Sequence, residues 1–126
     1  MPVLIDTSVW VEYFRSGKYS EKLDFLIDEN LIVTNDLIMA ELIPFLRMRN
    51  QQKIIDLLRN IKNLDLLINW EQIIEYQYEC LKNGLNGIGI PYLIIAQNAK
   101  QNDCEVYSLD NHFNLMKEIL NIRIQI

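Results

Sequence analysis

At 126 residues, half of them hydrophobic and with a formal net charge of −5, the chain has room for one domain with a real core and is too short for two. The acidic balance excludes a protein whose whole surface grips nucleic acid by phosphate neutralisation, though not a local basic groove. No apolar stretch approaches the roughly 20 residues of a membrane span, and no basic, cleavable leader precedes the first strand. The expectation is a single cytoplasmic domain, residues 1–126, with no membrane partner. Cys80 and Cys104 are isolated, give neither a disulfide framework nor a metal-ligand spacing, and read as buried thiols.

In chain order, residues 2–6 read as a strand. Ser8 to Phe14 carries apolar and aromatic residues at helical spacing, with Gly17 as its stop. Ser20 is placed as the N-cap of a helix whose apolar face is Leu23, Phe25, Leu26 and Ile27. Leu31 to Thr34 is a second strand. Asp36 is expected to cap a helix through Leu37, Ala40 and Glu41 toward Leu46, with Pro44 bending it or starting a new segment. Residues 51–61 form another amphipathic helix and Leu64 to Ile68 a third strand. Asn69 caps a helix to about Lys82. Gly84, Gly87 and Gly89 make a mobile loop, and Pro91 opens a helix to about Gln101. Cys104 to Leu109 is a fourth strand, Asn111 to Leu120 a helix, and Ile122 to Ile126 a closing strand. Mostly apolar strands separated by helices define an α/β fold: a parallel sheet with helices on both faces.

In such sheets ligands bind outside the carboxyl ends of the strands, where the strand order reverses. Three acids qualify by position. Asp6 ends the first strand, Asp110 follows the fourth, and Glu41 lies about one turn into the helix after the second. Asp6 and Asp110 each also read as helix N-caps, and Glu41 as part of a solvated face, although Met39, Ala40, Leu42 and Ile43 around it are apolar. If the three meet, their mutual repulsion calls for a divalent cation. An all-oxygen donor set suits Mg2+ or Mn2+ better than zinc, and the matching chemistry is phosphodiester hydrolysis.

Four segments, LIDTSVWVEYF, MAELIPF, GIGIPYLIIAQNA and SLDNHF, in this order and spacing, resemble the PIN-domain ribonucleases, most of all the VapC-type toxins of toxin–antitoxin pairs. The resemblance covers essentially the whole chain. It implies a three-layer α/β/α fold around a five-stranded parallel sheet and an acidic pocket that binds Mg2+ or Mn2+. It also implies cleavage of RNA (tRNA, rRNA or mRNA), a homodimer, and neutralisation by a VapB-like antitoxin. Asp6, Glu41 and Asp110 match the family's catalytic and metal-holding acids. Ser8 matches a hydroxyl position that supports the first acid, and Asn111 a position where a polar residue often assists.

One position departs. The family's helix after the glycine loop usually opens with proline followed by aspartate; here it opens Pro91-Tyr92. No neighbour replaces the missing acid, since Gly84 through Asn102 contains neither Asp nor Glu. Tyr92, whose phenol is neutral at pH 7, removes one negative charge, and its ring fills part of the pocket, stacks on an RNA base or covers the helix end. The expectation is weakened nuclease activity. The rival is a PIN scaffold that binds antitoxin or RNA without cutting.

Arg15, Arg47, Arg49 and Lys53, with Lys18, Arg59 and Lys62 beyond, are candidates for guiding an RNA backbone; a solvated helix face is the plainer reading of the central cluster. His112, the only histidine, reads as a turn or packing residue rather than a catalytic one. Trp10, Tyr13 and Phe14 read as core or partner contacts. Two other acid-at-strand-end chemistries fail on residue identity. An aspartyl-nucleophile phosphatase needs a second aspartate where Ser8 stands. A receiver domain needs an acid after its third strand, where this chain has Asn69.

Overall fold

The computed structural model describes residues 1–18 and 20–125. Among them are five strands, β1 (Val3–Ile5), β2 (Ile32–Asn35), β3 (Lys62–Leu64), β4 (Glu105–Tyr107) and β5 (Arg123–Ile124). Seven helices connect them: α1 (Thr7–Ser16), α2 (Ser20–Asp28), α3 (Asp36–Met48), α4 (Gln52–Arg59), α5 (Trp70–Lys82), α6 (Ile90–Gln101) and α7 (Asn111–Leu120). All strand pairs are parallel, in the order β3-β2-β1-β4-β5. This is the α/β architecture expected from the strand–helix alternation, and β1 lies at its centre. Val3, Leu4 and Ile5 are almost fully buried, as a strand covered on both faces must be. Each such side chain contributes on the order of 1.5–3 kcal/mol by leaving water.

The chain leaves β1 toward β2 on one side and returns at β4 on the other, so the order reverses between β1 and β4. That reversal opens a crevice at the carboxyl ends of these two strands. The Asp6 amide donates to the Tyr107 carbonyl at 2.9 Å and pins the two strand ends together.

α6 carries apolar residues on every side, and all of Leu93 to Ala99 are buried, the signature of a helix enclosed by the protein. Both of its buried amides are hydrogen-bonded through oxygen and nitrogen. Gln97 donates to the Asn69 carbonyl and to Gln72 Oε1 and accepts from the Asn69 amide. Asn98 accepts from Asn35 Nδ2 and donates to the Asp65 carbonyl. These bonds fix the start of α5, the end of β2 and the exit of β3 against α6, and so set where the first turn of α6 sits.

Several boundaries differ from the sequence reading. The cap of α3 is Asn35, whose Oδ1 accepts from the Ile38 amide, not Asp36. α3 runs unbroken through Pro44; the carbonyl that Pro44 deprives of a partner belongs to Ala40, which is exposed to water. Ser20 is the first residue of α2 rather than its cap. The third strand is Lys62–Leu64, not Leu64–Ile68, and α4 stops at Arg59 to allow it. As an edge strand β3 leaves Lys62 and Asn63 exposed, so its identity lies in backbone pairing to Val33–Asn35 rather than in apolar pattern. The closing strand spans Arg123–Ile124, and residue 126 lies outside the described residues. Gly17 closes α1 in the left-handed region, its amide donating to the Tyr13 carbonyl, as its position predicts. Asn69 caps α5 through a bond from the Gln72 amide. Pro91 sits in the first turn of α6. Cys80 and Cys104 are buried and unbridged, and Trp10 is a core residue stacked on Phe14. No helix among the described residues is long and apolar enough to cross a membrane.

Candidate active site

β1 delivers Asp6 to the crevice as the residue before α1, in extended conformation. It occupies the cap position, yet its side chain makes no capping hydrogen bond. The carboxylate is held instead by two hydroxyls. Ser8 and Ser108 each donate to Asp6 Oδ2 at 2.8 Å. Both serines are themselves fixed, Ser8 by the Leu109 amide at 3.0 Å and Ser108 by the Asp110 amide at 2.9 Å. The tips of β1 and β4 thus carry mirrored triplets, Asp6-Thr7-Ser8 and Ser108-Leu109-Asp110, that interlock across the strand pair. Asp6 is 7% exposed. A buried carboxylate held this way, with capping set aside, is presented to something in the crevice.

Asp110 does cap its helix, accepting from the His112 amide through Oδ1 at 3.0 Å. His112 Nδ1 lies 2.7 Å from the same oxygen, and Oδ2 accepts from the Tyr92 hydroxyl at 2.6 Å. Burial opposes its charge, but the hydrogen bonds from Tyr92 and the His112 amide outweigh it and hold the carboxyl below the usual range. The same contact pushes the Tyr92 phenol up to about 12. Tyr92 stands in the first turn of α6, with His112 at 4.6 Å and Phe113 at 5.5 Å between ring centroids.

Glu41 arrives from α3. Its carboxyl is raised above the ordinary value, first because partial burial disfavours the charged form and then because Asp6 adds like-charge repulsion. The Thr7 hydroxyl, buried and without a fully formed hydrogen bond among the described residues, pulls in the opposite direction.

Asp6, Ser8, Glu41, Tyr92 and Asp110 line one pocket of about 260 Å³, closed by Thr7, Pro91 and Ile95. The polar groups offered are carboxylates and hydroxyls, an oxygen set suited to a hard divalent cation. Among the described residues no three His, Cys, Asp or Glu side chains are grouped tightly enough to hold a metal ion as they stand. The donor chemistry fits such an ion; the three acids are neighbours rather than a closed cage, and Asp110 has both oxygens engaged within the protein. Asn111 is exposed on the first turn of α7 and does not line the pocket. Neither do Arg15, paired with Glu12 at 2.8 Å, Arg49, stacked over Phe45 at 3.8 Å, nor the exposed Arg47 and Lys53.

One residue at the site escapes the sequence reading. Ser108 shares the load on Asp6, and its signal is the reversed Asp-x-Ser spacing of the first strand. His112 takes the turn and packing role expected of it, its amide in the α7 cap and its ring against Tyr92, and its Nδ1 also faces Asp110.

The fold and the pocket together define a doubly wound α/β protein with an acidic, oxygen-lined site at its switch point. Residues 3–119 match the PIN domain family model, and the chain belongs to the PIN domain family. Members of this family are typically nucleases that use divalent metal ions. No curated protein gives a match. Among solved structures, the chain is similar to VapBC2 from Rickettsia felis bound to a DNA fragment from its promoter, at 22% identity and TM-score 0.78, covering 99% of this chain and 98% of that one. It is also similar to DNA-bound VapBC from Salmonella typhimurium, at 17% identity and TM-score 0.76, covering 99% and 97%. A third likeness is to VapC20 of Mycobacterium tuberculosis, described as a sarcin-ricin loop cleaving toxin, at 10% identity and TM-score 0.61, covering 89% and 92%. These likenesses show a shared fold over nearly the whole chain.

Proposed function

We propose that residues 1–126 form one cytoplasmic PIN domain acting as a VapC-type toxin, an endoribonuclease dependent on Mg2+ or Mn2+ that is restrained by a VapB-like antitoxin. The observation that carries this reading is the treatment of Asp6: a buried carboxylate, free of capping duty, held by two serines in a pocket shared with Glu41 and Asp110. Asp6 and Glu41 are the cation-holding pair and Asp110 is the third acid. When bound, the cation would activate a water and neutralise charge on the scissile phosphate. Ser8 and Ser108 orient Asp6 through their shared oxygen. Glu41, strained by its neighbour's charge, gains most from a positive ion beside it. Arg15, Arg47, Arg49 and Lys53 steer the RNA backbone from outside the pocket, and Asn111 stands at the helix start beside Asp110. Homodimerisation and an RNA substrate (tRNA, rRNA or mRNA) belong to the same reading and draw on the family and on the VapBC complexes that share the fold.

A second reading draws on Tyr92: with a phenol where the family usually carries an acid, the domain binds antitoxin or RNA without cleaving. One experiment separates the two. Purified, antitoxin-free protein is incubated with total RNA in Mn2+ or EDTA, beside Asp6→Asn. The nuclease reading expects metal-dependent fragments that fall at least about 100-fold in the variant, the scale on which loss of a charge-stabilising catalytic group is felt. Cleavage that survives EDTA or Asp6→Asn overturns it. Absence of cleavage by a protein that still captures an antitoxin establishes the binding module.

A further inference from the structure

The three acids of the pocket differ in how their oxygens are used. The hydrogen bonds to Asp6 described above fall on Oδ2. Glu41 lines the pocket beside Thr7, whose buried hydroxyl makes no hydrogen bond among the described residues. Asp110 is spent on both sides: Oδ1 receives the His112 amide at 3.0 Å and faces His112 Nδ1 at 2.7 Å, while Oδ2 receives the Tyr92 phenol at 2.6 Å.

The partners that hold Asp110 are themselves immobilised. Tyr92 is half-buried, flanked by His112 and Phe113, and seated on a helix whose next seven residues are all buried. This packing holds the phenol against Asp110. His112 is bound to the capping geometry of α7. The donors on both oxygens fix the plane of the Asp110 carboxylate, so a cation that recruits it must compete with short hydrogen bonds to a charged acceptor for its orientation. A cation that does not recruit it meets only Asp6 and Glu41 as carboxylate ligands, with water filling the rest of its shell, as Mg2+ readily accepts.

We propose that Tyr92 is a latch that keeps Asp110 out of cation coordination, so that the pocket takes a single divalent cation on Asp6 and Glu41 alone. The inference rests on the reading of this pocket as a cation site and adds what sets its stoichiometry and affinity. Tyr92 is a positioning residue: it acts through Asp110 and does not touch the ion.

The test is calorimetric titration of Mn2+ into the metal-stripped full chain, compared among wild type, Tyr92→Phe, Asp110→Asn, the double variant Tyr92→Phe/Asp110→Asn, and Glu41→Gln. Wild type takes up one equivalent. Tyr92→Phe frees Oδ2 of Asp110 and binds about tenfold more tightly, the scale of one hydrogen bond to a charged group. Asp110→Asn, which keeps an N-cap side chain of equal rank, weakens binding by less than about tenfold, the effect of a nearby charge that is not itself a ligand. The double variant loses the gain, because the released oxygen is no longer a carboxylate. A general packing defect at Tyr92 would weaken binding, not strengthen it. Unchanged or weaker binding by Tyr92→Phe overturns the latch, as does a tenfold loss from Asp110→Asn alone. Glu41→Gln is expected to lose uptake. Uptake by that variant equal to wild type, or none by wild type, overturns the cation-site reading and the latch with it, and is distinguishable from failure of the latch alone.

Discussion

Ser8 and Ser108, one hundred positions apart in the chain, stand with hydroxyl oxygens 3.2 Å from one another and both donate to the same oxygen of Asp6. Each hydroxyl has one proton, and both protons are directed at Asp6, so the contact between the serines is a consequence of their shared acceptor. Each also relieves a backbone amide at the tip of β4. Ser8→Ala or Ser108→Ala should therefore each cost about 1.5–3 kcal/mol of stability, the range for a hydrogen bond to a charged group. Thermal unfolding would show this as a fall of several degrees. The double variant should cost measurably more or less than the sum, since the two groups share one acceptor. Strict additivity in a double-mutant cycle would show that the serines act independently of Asp6.

Glu41 leads to a prediction of opposite sign. Its carboxyl is raised by partial burial and by the charge of Asp6. Below the unfolded-state value near 4.3 the group is protonated in both folded and unfolded chains and costs nothing. As pH rises through the elevated folded value, the folded protein carries a charge it disfavours, and stability is lost. Glu41→Gln removes that charge. In EDTA at neutral pH the variant should melt slightly higher than wild type, by no more than about 2 °C, because water screens a partly exposed charge. The gain should vanish below about pH 4. A variant less stable than wild type at pH 7 would place the carboxylate in a favourable contact instead.

How much of this site the sequence exposes depends on what kind of contact builds each part. Asp6 and Asp110 declare themselves because they terminate apolar strand runs, and strand ends are legible from local pattern. The arrival of Glu41 depends on the angle at which α3 leaves β2, which is set by the Asn35–Asn98 bond and the burial of α6, neither visible in a window around Glu41. Asp and Asn rank equally as N-caps, so local pattern does not choose between Asn35 and Asp36, and the tertiary bond from Asn35 Nδ2 selects between them. The apolar run Leu64–Ile68 reads as a strand by pattern, whereas the edge strand Lys62–Leu64 is defined by its neighbour's backbone. The lock between Ser8 and Ser108 needs the knowledge that β1 and β4 are adjacent, and that follows from topology, not from spacing.

Asp110 gives a pH-dependent prediction that tests its internal bonds directly. Its folded carboxyl lies below the ordinary value because, against the effect of burial, Tyr92 and the His112 amide favour the charged form. A depressed carboxyl contributes stability above its unfolded value near 3.9, and that contribution disappears as pH falls through the folded value. Asp110→Asn keeps an amide side chain able to cap α7 and removes the charge. Measured in EDTA, the variant should be less stable than wild type at pH 7, and the difference should begin to shrink below about pH 4 and close below the depressed folded value. A difference that persists unchanged at acid pH would assign the effect to cap geometry rather than charge.

The last prediction concerns the amides that hold α6 in place. Asn98 is 1% exposed and bridges Asn35 Nδ2 at 2.9 Å to the Asp65 carbonyl at 3.0 Å. Asn98→Ala strands the buried Asn35 amide, removes the bond to the carbonyl of the exposed Asp65 and leaves a small void. It should destabilise the protein by about 1–3 kcal/mol, the cost of one unsatisfied buried group. Asn98→Leu fills the space without satisfying either group and should recover little, which separates the polar cost from the packing cost. Because the same bond sets the end of β2 and hence the course of α3, hydrogen exchange should quicken first at Asn35 to Ile38 and at residues 62–65. Loss of protection confined to α6 would mean that the helix is held by its apolar contacts and that Asn98 does not govern where Glu41 stands.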